Sequence, residues 1–174
     1  QTAAFMKQGV STIPHGVLTH GTWVGRPDLL ERVEGRSNLG GYYYVACDLK
    51  RARSLEDVHR FQGVFYAELL EALQGVRPLQ GYVLTPEGTA LSFLIQDVRA
   101  GFHVALGDIE RILSGEKPPP FVGSGCRESP WLHECIAQAE GCDDVSLISH
   151  ITPDEREALV EAGFGTVSAF AEAL

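Results

Sequence analysis

The sequence predicts an α/β fold in which a mixed sheet is flanked by helices and followed by a small α-helical C-terminal appendage. Three observations carry that expectation. The elements run strands, helix, strands, helix, an order that suits a mixed sheet with helices against it. Residues 42–47, Tyr-Tyr-Tyr-Val-Ala-Cys, form a nearly continuous apolar run of the kind a central strand buried on both faces requires. Val58, Phe61, Phe65, Leu69, Leu70 and Leu73 recur at helical spacing. With 174 residues, 44% hydrophobic and 21% charged, the chain is long enough for one main domain with a real core. The same figures exclude disordered, collagen-like and coiled-coil classes.

Taken in order, residues 17–20 and the stretch from Trp23 onward read as two short strands joined by a Gly21-Thr22 turn. A turn-like segment with three glycines, residues 34–41, separates them from the central strand. Ser54, with Asp57 three residues on, reads as a capping-box start for a helix of about five turns over residues 55–74, which Gly75 and Pro78 end. Residues 80–85 and 90–96 read as strands joined by Pro86-Glu87-Gly88. Residues 98–113 then read as a helix that Pro118-Pro119-Pro120 stop. Thr152-Pro153-Asp154-Glu155 opens a pair of short helices around Ala162-Gly163-Phe164-Gly165, with acids at the positive end of the macrodipole. Two parts follow: a core over residues 1–150 and a helix-turn-helix-sized appendage over 151–174.

The net charge of −9 argues against nucleic acid taken as a whole, because a phosphate backbone is bound by cations. Its distribution is uneven. Residues 133–174 hold one basic residue against nine acidic ones, whereas eight of the 14 Lys and Arg residues lie between Arg26 and Arg77. That stretch offers either a local basic patch or an ordinary solvated face. No segment approaches the run of about eighteen apolar residues that a membrane helix needs, and the N-terminus lacks a signal-peptide pattern. The expected location is therefore cytoplasmic, with no membrane partner. Four cysteines (Cys47, Cys126, Cys135, Cys142) in such a chain do not read as a disulfide scaffold.

The chemistry concentrates in Pro27-Asp28 and in Asp48-Leu49-Lys50 at the end of the central strand. Strand alternation puts Asp48 and Lys50 on one face. Asp28 and Asp48, converging from adjacent strands, would give a hard cation such as Mg²⁺ or Mn²⁺ the oxygen ligands it prefers. Lys50 beside that cation can position an attacking water and stabilise charge on a phosphate. Gln62 and Tyr66, at i and i+4 on the helix that follows, project from one side, one turn apart. By themselves these residues also fit exposed strand ends and an ordinary helix face.

Taken together and in this order, Pro27-Asp28, Asp48-Leu49-Lys50 and Gln62-Gly63-Val64-Phe65-Tyr66 resemble the RecB-like branch of the PD-(D/E)XK nucleases, whose Q-x-x-x-Y helix flanks the metal site. The resemblance implies a restriction-endonuclease-like fold and hydrolysis of DNA phosphodiester bonds with Mg²⁺ or Mn²⁺. Asp28 and Asp48 would be metal ligands, Lys50 the group acting on water and phosphate, and Gln62 and Tyr66 supports of the cleft. Arg51, Arg53 and Arg60 would lie near the phosphates. Several such nucleases hold a [4Fe-4S] cluster through a C-x2-C-x5-C motif, and Cys126, Ser129 and Cys135 have that spacing with serine in the middle. A cluster needs four thiolates, so Cys126 and Cys135 read as a degenerate cluster loop and no cluster is expected. A zinc site from Cys126, Cys135, Cys142 and His133 matches no common spacing.

The tail, from Cys142-Asp143-Asp144 through Thr152 to Ala162-Gly163-Phe164-Gly165, is similar to a branch of uncharacterised RecB-like nucleases in which a helix-hairpin-helix-like module follows the core. Members of that branch begin with a helical segment carrying an acidic residue and a cysteine, which nothing here matches. The resemblance therefore implies a core lacking its N-terminal helical part. His15 reads either as facing the metal cleft or as a surface histidine. The rival expectation is a catalytically incomplete nuclease-fold module that binds DNA or serves as an assembly subunit of a DNA-processing complex, with further domains or subunits as partners.

Overall fold

The structure is a computed structural model that describes residues 1–51 and 54–173. Arg53, one of the expected phosphate-side cations, lies outside the described residues. The chain divides into two compact units, Gln1–Arg111 and Ile112–Leu174. The division expected at residue 150 thus falls inside the second unit, which joins the cysteine segment to the terminal helices.

The first unit is mixed α/β, built on a five-stranded mixed sheet in the order β1 (Thr12–Pro14), β4 (Leu29–Ser37), β5 (Gly40–Leu49), β6 (Gln80–Leu84), β7 (Ala90–Leu94). Only the β5–β6 pair is parallel. The apolar run lies in β5, the middle strand. Tyr44 and Asp48 are buried on one face, and Val45 and Cys47 on the other. The hairpin expected within residues 16–33 forms a separate two-stranded ribbon of β2 (Leu18–His20) and β3 (Trp23–Gly25), and the strand expected from Trp23 onward is broken at residues 26–28, after which β4 joins the main sheet.

Helix α2 (Asp57–Gln74) packs Leu69 and Leu70 with Leu18, Leu30 and Tyr44 in one core cluster. Its Val64 and Ala67 meet Ile95 and Phe102 of α3 (Ile95–Leu113) in a second. Each fully buried Leu contributes about 1.5–3 kcal/mol of transfer free energy. Glu68 ties the two helices at the surface, 2.6 Å from Arg99 and 3.4 Å from His103.

Several expectations are corrected. The segment 34–41 is not a turn: β4 runs on to Ser37 through a register shift between Glu34 and Ser37, and only Asn38 and Leu39 separate β4 from β5. Gly35, at φ 154, lets the Tyr43 ring lie where a Cβ would stand. The cap of α2 is Glu56 rather than Ser54. Ile95 and Gln96 open α3 instead of extending β7; the Ile95 N–H still donates to Leu79 O at 3.0 Å, opposite it in the β6–β7 register, and the helix begins from that last bond. Two N-terminal elements escaped the sequence reading, α1 (Thr2–Lys7) and β1. The Tyr42 hydroxyl donates to Met6 O at 3.0 Å and the Tyr44 hydroxyl to Val10 O at 2.6 Å, fastening this short segment to β5.

The second unit holds α4 (Leu132–Gly141), α5 (Pro153–Glu161) and α6 (Val167–Glu172), with 3₁₀ turns at Ser124–Glu128 and Val145–Leu147. Residues 152–155 open α5 as expected, and Thr152 caps it in a capping box with Glu155. No helix among the described residues is long and apolar enough to cross a membrane.

Candidate functional site

Asp28 stands one residue before β4, directly across from Asp48 in the continuing antiparallel register that pairs Leu29 with Cys47. No regular backbone pair closes there, so the side chains take over. The Asp28 N–H donates to Asp48 Oδ1 at 3.2 Å, and the Leu49 N–H donates to Asp28 Oδ2 at 2.8 Å. Each carboxylate is thereby oriented by the other strand's main chain. Asp48 is 6% exposed, a burial that a carboxylate tolerates only with such partners. Lys50 Nζ lies 3.3 Å from Asp48 Oδ2. The alternation expected for Asp48 and Lys50 is what brings them together, and the Lys50 N–H extends the parallel ladder to Leu84 O at 3.0 Å.

Tyr66 projects from α2 toward this pair. Burial raises its phenol above the ordinary value, and the charges of Asp48 and Asp28 add to that, opposed by a hydrogen bond from Gln62. Gln62 Nε2 donates to the Tyr66 hydroxyl oxygen at 2.9 Å. That bond leaves the phenol its own proton to donate. Gly25 seats the tyrosine: a Cβ there would stand 2.6 Å from Leu69 Cδ1 and 3.0 Å from the Tyr66 ring, so only glycine lets β3 and α2 approach this closely. Nothing in the sequence pattern marks that role. The structure therefore gathers Asp28, Asp48, Lys50, Gln62 and Tyr66 at the C-terminal end of β5.

His15, in the left-handed region at φ 49, donates its N–H to Asp28 O at 2.7 Å, and the residue is exposed. Arg60 turns back on its own helix, 3.3 Å from Asp57. Arg51 is exposed beyond the strand end. Cys47 points to the opposite sheet face from Asp48. Burial, reinforced by Glu31 and Asp48, pushes its thiol up to about 11, which keeps it a neutral, inert side chain.

Asp28 and Asp48 are oxygen donors without a third partner: among the described residues no three His, Cys, Asp or Glu side chains form a group that could hold a metal ion. Two carboxylates alone match the way Mg²⁺ is commonly held, through one or two carboxylates with waters and substrate phosphate filling the other positions. In the second unit the thiols of Cys126, Cys135 and Cys142 are all free. Cys126 Sγ points to Phe121 O at 3.6 Å and Cys142 Sγ to Gln138 O at 3.3 Å, while Ser129 Oγ accepts the Trp131 N–H at 3.2 Å. A cleft of about 470 Å³ lined by His20, Trp23, Glu68 and Glu71 includes none of the five clustered residues. No protein-family model matches the chain, and no curated protein matches it.

Proposed function

We propose that this chain is a metal-dependent deoxyribonuclease of the RecB-like, restriction-endonuclease-like type, hydrolysing DNA phosphodiester bonds. The observation that carries the reading is the cluster itself. Two carboxylates are aligned by each other's backbone, with Lys50 3.3 Å from Asp48 and a Gln62–Tyr66 pair presented by the adjoining helix. Asp28 and Asp48 would hold Mg²⁺ or Mn²⁺, which supplies charge neutralisation at a phosphoryl oxygen and an acidified water. Lys50 presents its ammonium group on the same face, where it orients the water and offsets the negative charge that develops on phosphorus oxygens. The phenol of Tyr66, whose oxygen accepts from Gln62, keeps its own proton to donate toward the bound phosphate. Gln62 fixes the direction of that phenol.

A second reading follows from the donor count. Two carboxylates without a third acidic or imidazole ligand also suit a nuclease-fold module whose catalysis is lost and whose work is DNA binding or assembly within a larger DNA-processing complex. The two readings part in one experiment: cleavage of single-stranded and duplex DNA with Mn²⁺ or Mg²⁺, run beside Lys50→Ala and Asp48→Ala. The nuclease reading expects cleavage by the parent, loss of turnover by at least about a hundredfold in Lys50→Ala with metal affinity kept, and joint loss of metal affinity and activity in Asp48→Ala. Metal-independent DNA binding without cleavage would establish the second reading. Equal activity in all three proteins removes the mechanism.

A further inference from the structure

Among the described residues the main sheet ends in two edge strands, β1 and β7, and the sequence treats them differently. Along β1, the Arg32 N–H donates to Ser11 O at 2.9 Å and the His15 N–H to Asp28 O at 2.7 Å, which fixes the phase of that ladder. Ser11, Ile13 and His15 therefore bond inward to β4, and Thr12 and Pro14 face outward. Proline has no N–H, so this three-residue edge offers one outward donor. The strands of the β2–β3 ribbon are three residues long as well. Short strands and proline are common means of closing an edge to further pairing.

Strand β7 uses neither. The Thr85 N–H donates to Thr89 O and the Ile95 N–H to Leu79 O, each at 3.0 Å, one bond at either end of the β6–β7 pair. Between them Leu91 and Phe93 bond inward to Val83 and Gly81. Ala90 and Ser92 thus turn both N–H and C=O to the open side, and Leu94 turns its N–H there. All three residues are exposed. The Phe93 ring, on the other face, lies against Gly63 of α2 and Gly81 of β6 and holds the strand to the core. The five residues of β7 include no proline, glycine or charged side chain. An ordered, uncharged edge of ordinary strand length is a template for one more strand.

We infer that β7 is a pairing edge for a second copy of this chain: two β7 strands run antiparallel about a two-fold axis at Ser92 and join two five-stranded sheets into one. In that register the whole of Ala90–Leu94 overlaps its copy. Ser92 stands opposite the partner's Ser92 and exchanges both backbone bonds with it, while Leu94 stands opposite the partner's Ala90, a large side chain beside a small one. The strand matches itself, and no charge meets its like across the axis, which favours a second copy as the occupant. The pairing needs nothing from the Asp28–Asp48 cluster, so it stands or falls apart from the nuclease reading.

Sedimentation equilibrium of the chain between about 1 μM and about 1 mM should show a mass rising from one chain toward two, because an edge contact is small and its affinity modest. Ser92→Lys and Ser92→Glu set like charges across the axis, and each should weaken dimerisation about fivefold. An equimolar mixture of the two should recover the parent's dimer, since opposite charges then face each other. The thermal midpoints of both variants at the dilute end should match the parent's. In the parent, hydrogen exchange at the Ser92 and Leu94 amides should slow about tenfold from the dilute to the concentrated sample, while Leu91 and Phe93, already bonded to β6, stay unchanged.

A mass that remains at one chain throughout overturns the second copy as occupant and leaves β7 to a strand from another protein. A dimer that both variants form as tightly as the parent, or a mixture that associates no better than either variant alone, overturns the pairing at Ser92. Growth beyond two chains overturns the closed two-fold contact.

Discussion

The oriented carboxylates leave a mark on Tyr66 that can be measured without any substrate. Its phenol titrates above the ordinary value of 10.0, first because it is buried and then because Asp48 and Asp28 disfavour a second negative charge nearby. Removing one of those charges must lower it. Asp48→Asn is expected to bring the phenol back toward its ordinary range, read as the phenolate absorbance of each protein minus that of its Tyr66→Phe counterpart. Bound Mn²⁺ should act in the same direction, because a cation at Asp28 and Asp48 cancels the charges responsible. A phenol that titrates identically with and without the Asp48 charge would place Tyr66 outside the cluster, and its part in the site would fall. At this scale the sequence is informative where geometry is local. Asp48 and Lys50 share a face by strand alternation, and Gln62 meets Tyr66 by helical spacing. The crossed bonds between Asp28 and the Asp48-Leu49 segment depend on strand register, which no spacing within either motif encodes.

Among the elements, β5 and α2 were legible because each is long and strongly periodic, and they carry three of the five residues gathered at the site, with Lys50 following directly on β5. What joins them was not. Strand β6 pairs with β5 only from Cys47 onward, so on that side the backbone of Tyr44 faces no strand. Gln74, the last residue of α2, fills the gap. Its Oε1 accepts the Tyr44 N–H at 2.8 Å, and its Nε2 donates to Tyr44 O at 2.9 Å and to Val76 O at 3.1 Å. In the sequence it is one amide before a terminating glycine. Fully buried, it imitates a strand and fixes where α2 lies along β5. Gln74→Ala leaves a buried N–H and C=O unsatisfied and should lower stability by about 3 kcal/mol, measured by denaturant unfolding. A cost under about 1 kcal/mol would mean that water or a shifted β6 takes over those bonds. The missed elements share a reason: α1, β1 and the far end of β4 are short or irregular and held by tertiary bonds, chiefly from Tyr42, Tyr44 and Ser37. Local pattern carries no trace of such bonds.

Over the whole molecule, charge divides with the fold. All five clustered residues belong to the first unit, while the second holds three basic residues against eleven acidic ones. In that acidic unit Arg156 is bound by Asp144, with Nε donating at 3.0 Å to Oδ1 and Nη2 at 2.5 Å to Oδ2. Asp144 also accepts the Ser146 N–H at 2.8 Å. Asp143 beside it accepts the Ser168 N–H, and the Val145 N–H reaches Gly165 O. The pair thus anchors the turn between α5 and α6 to the preceding segment. The Arg156 guanidinium is the main reason that the Asp144 carboxyl falls from 3.8 to about 2, against the opposing push of burial. A carboxyl whose native value lies below its unfolded value stabilises the fold fully above the unfolded value, and the stabilisation is lost as pH falls through the native value. The second unit should therefore lose about 2 kcal/mol between roughly pH 4 and pH 2, followed through the amide resonances of Ser146 and Gly165. Asp144→Asn should show a similar loss already at pH 7 and a flatter acid profile. A variant whose acid profile matches the parent's would assign the transition to other carboxylates of this unit.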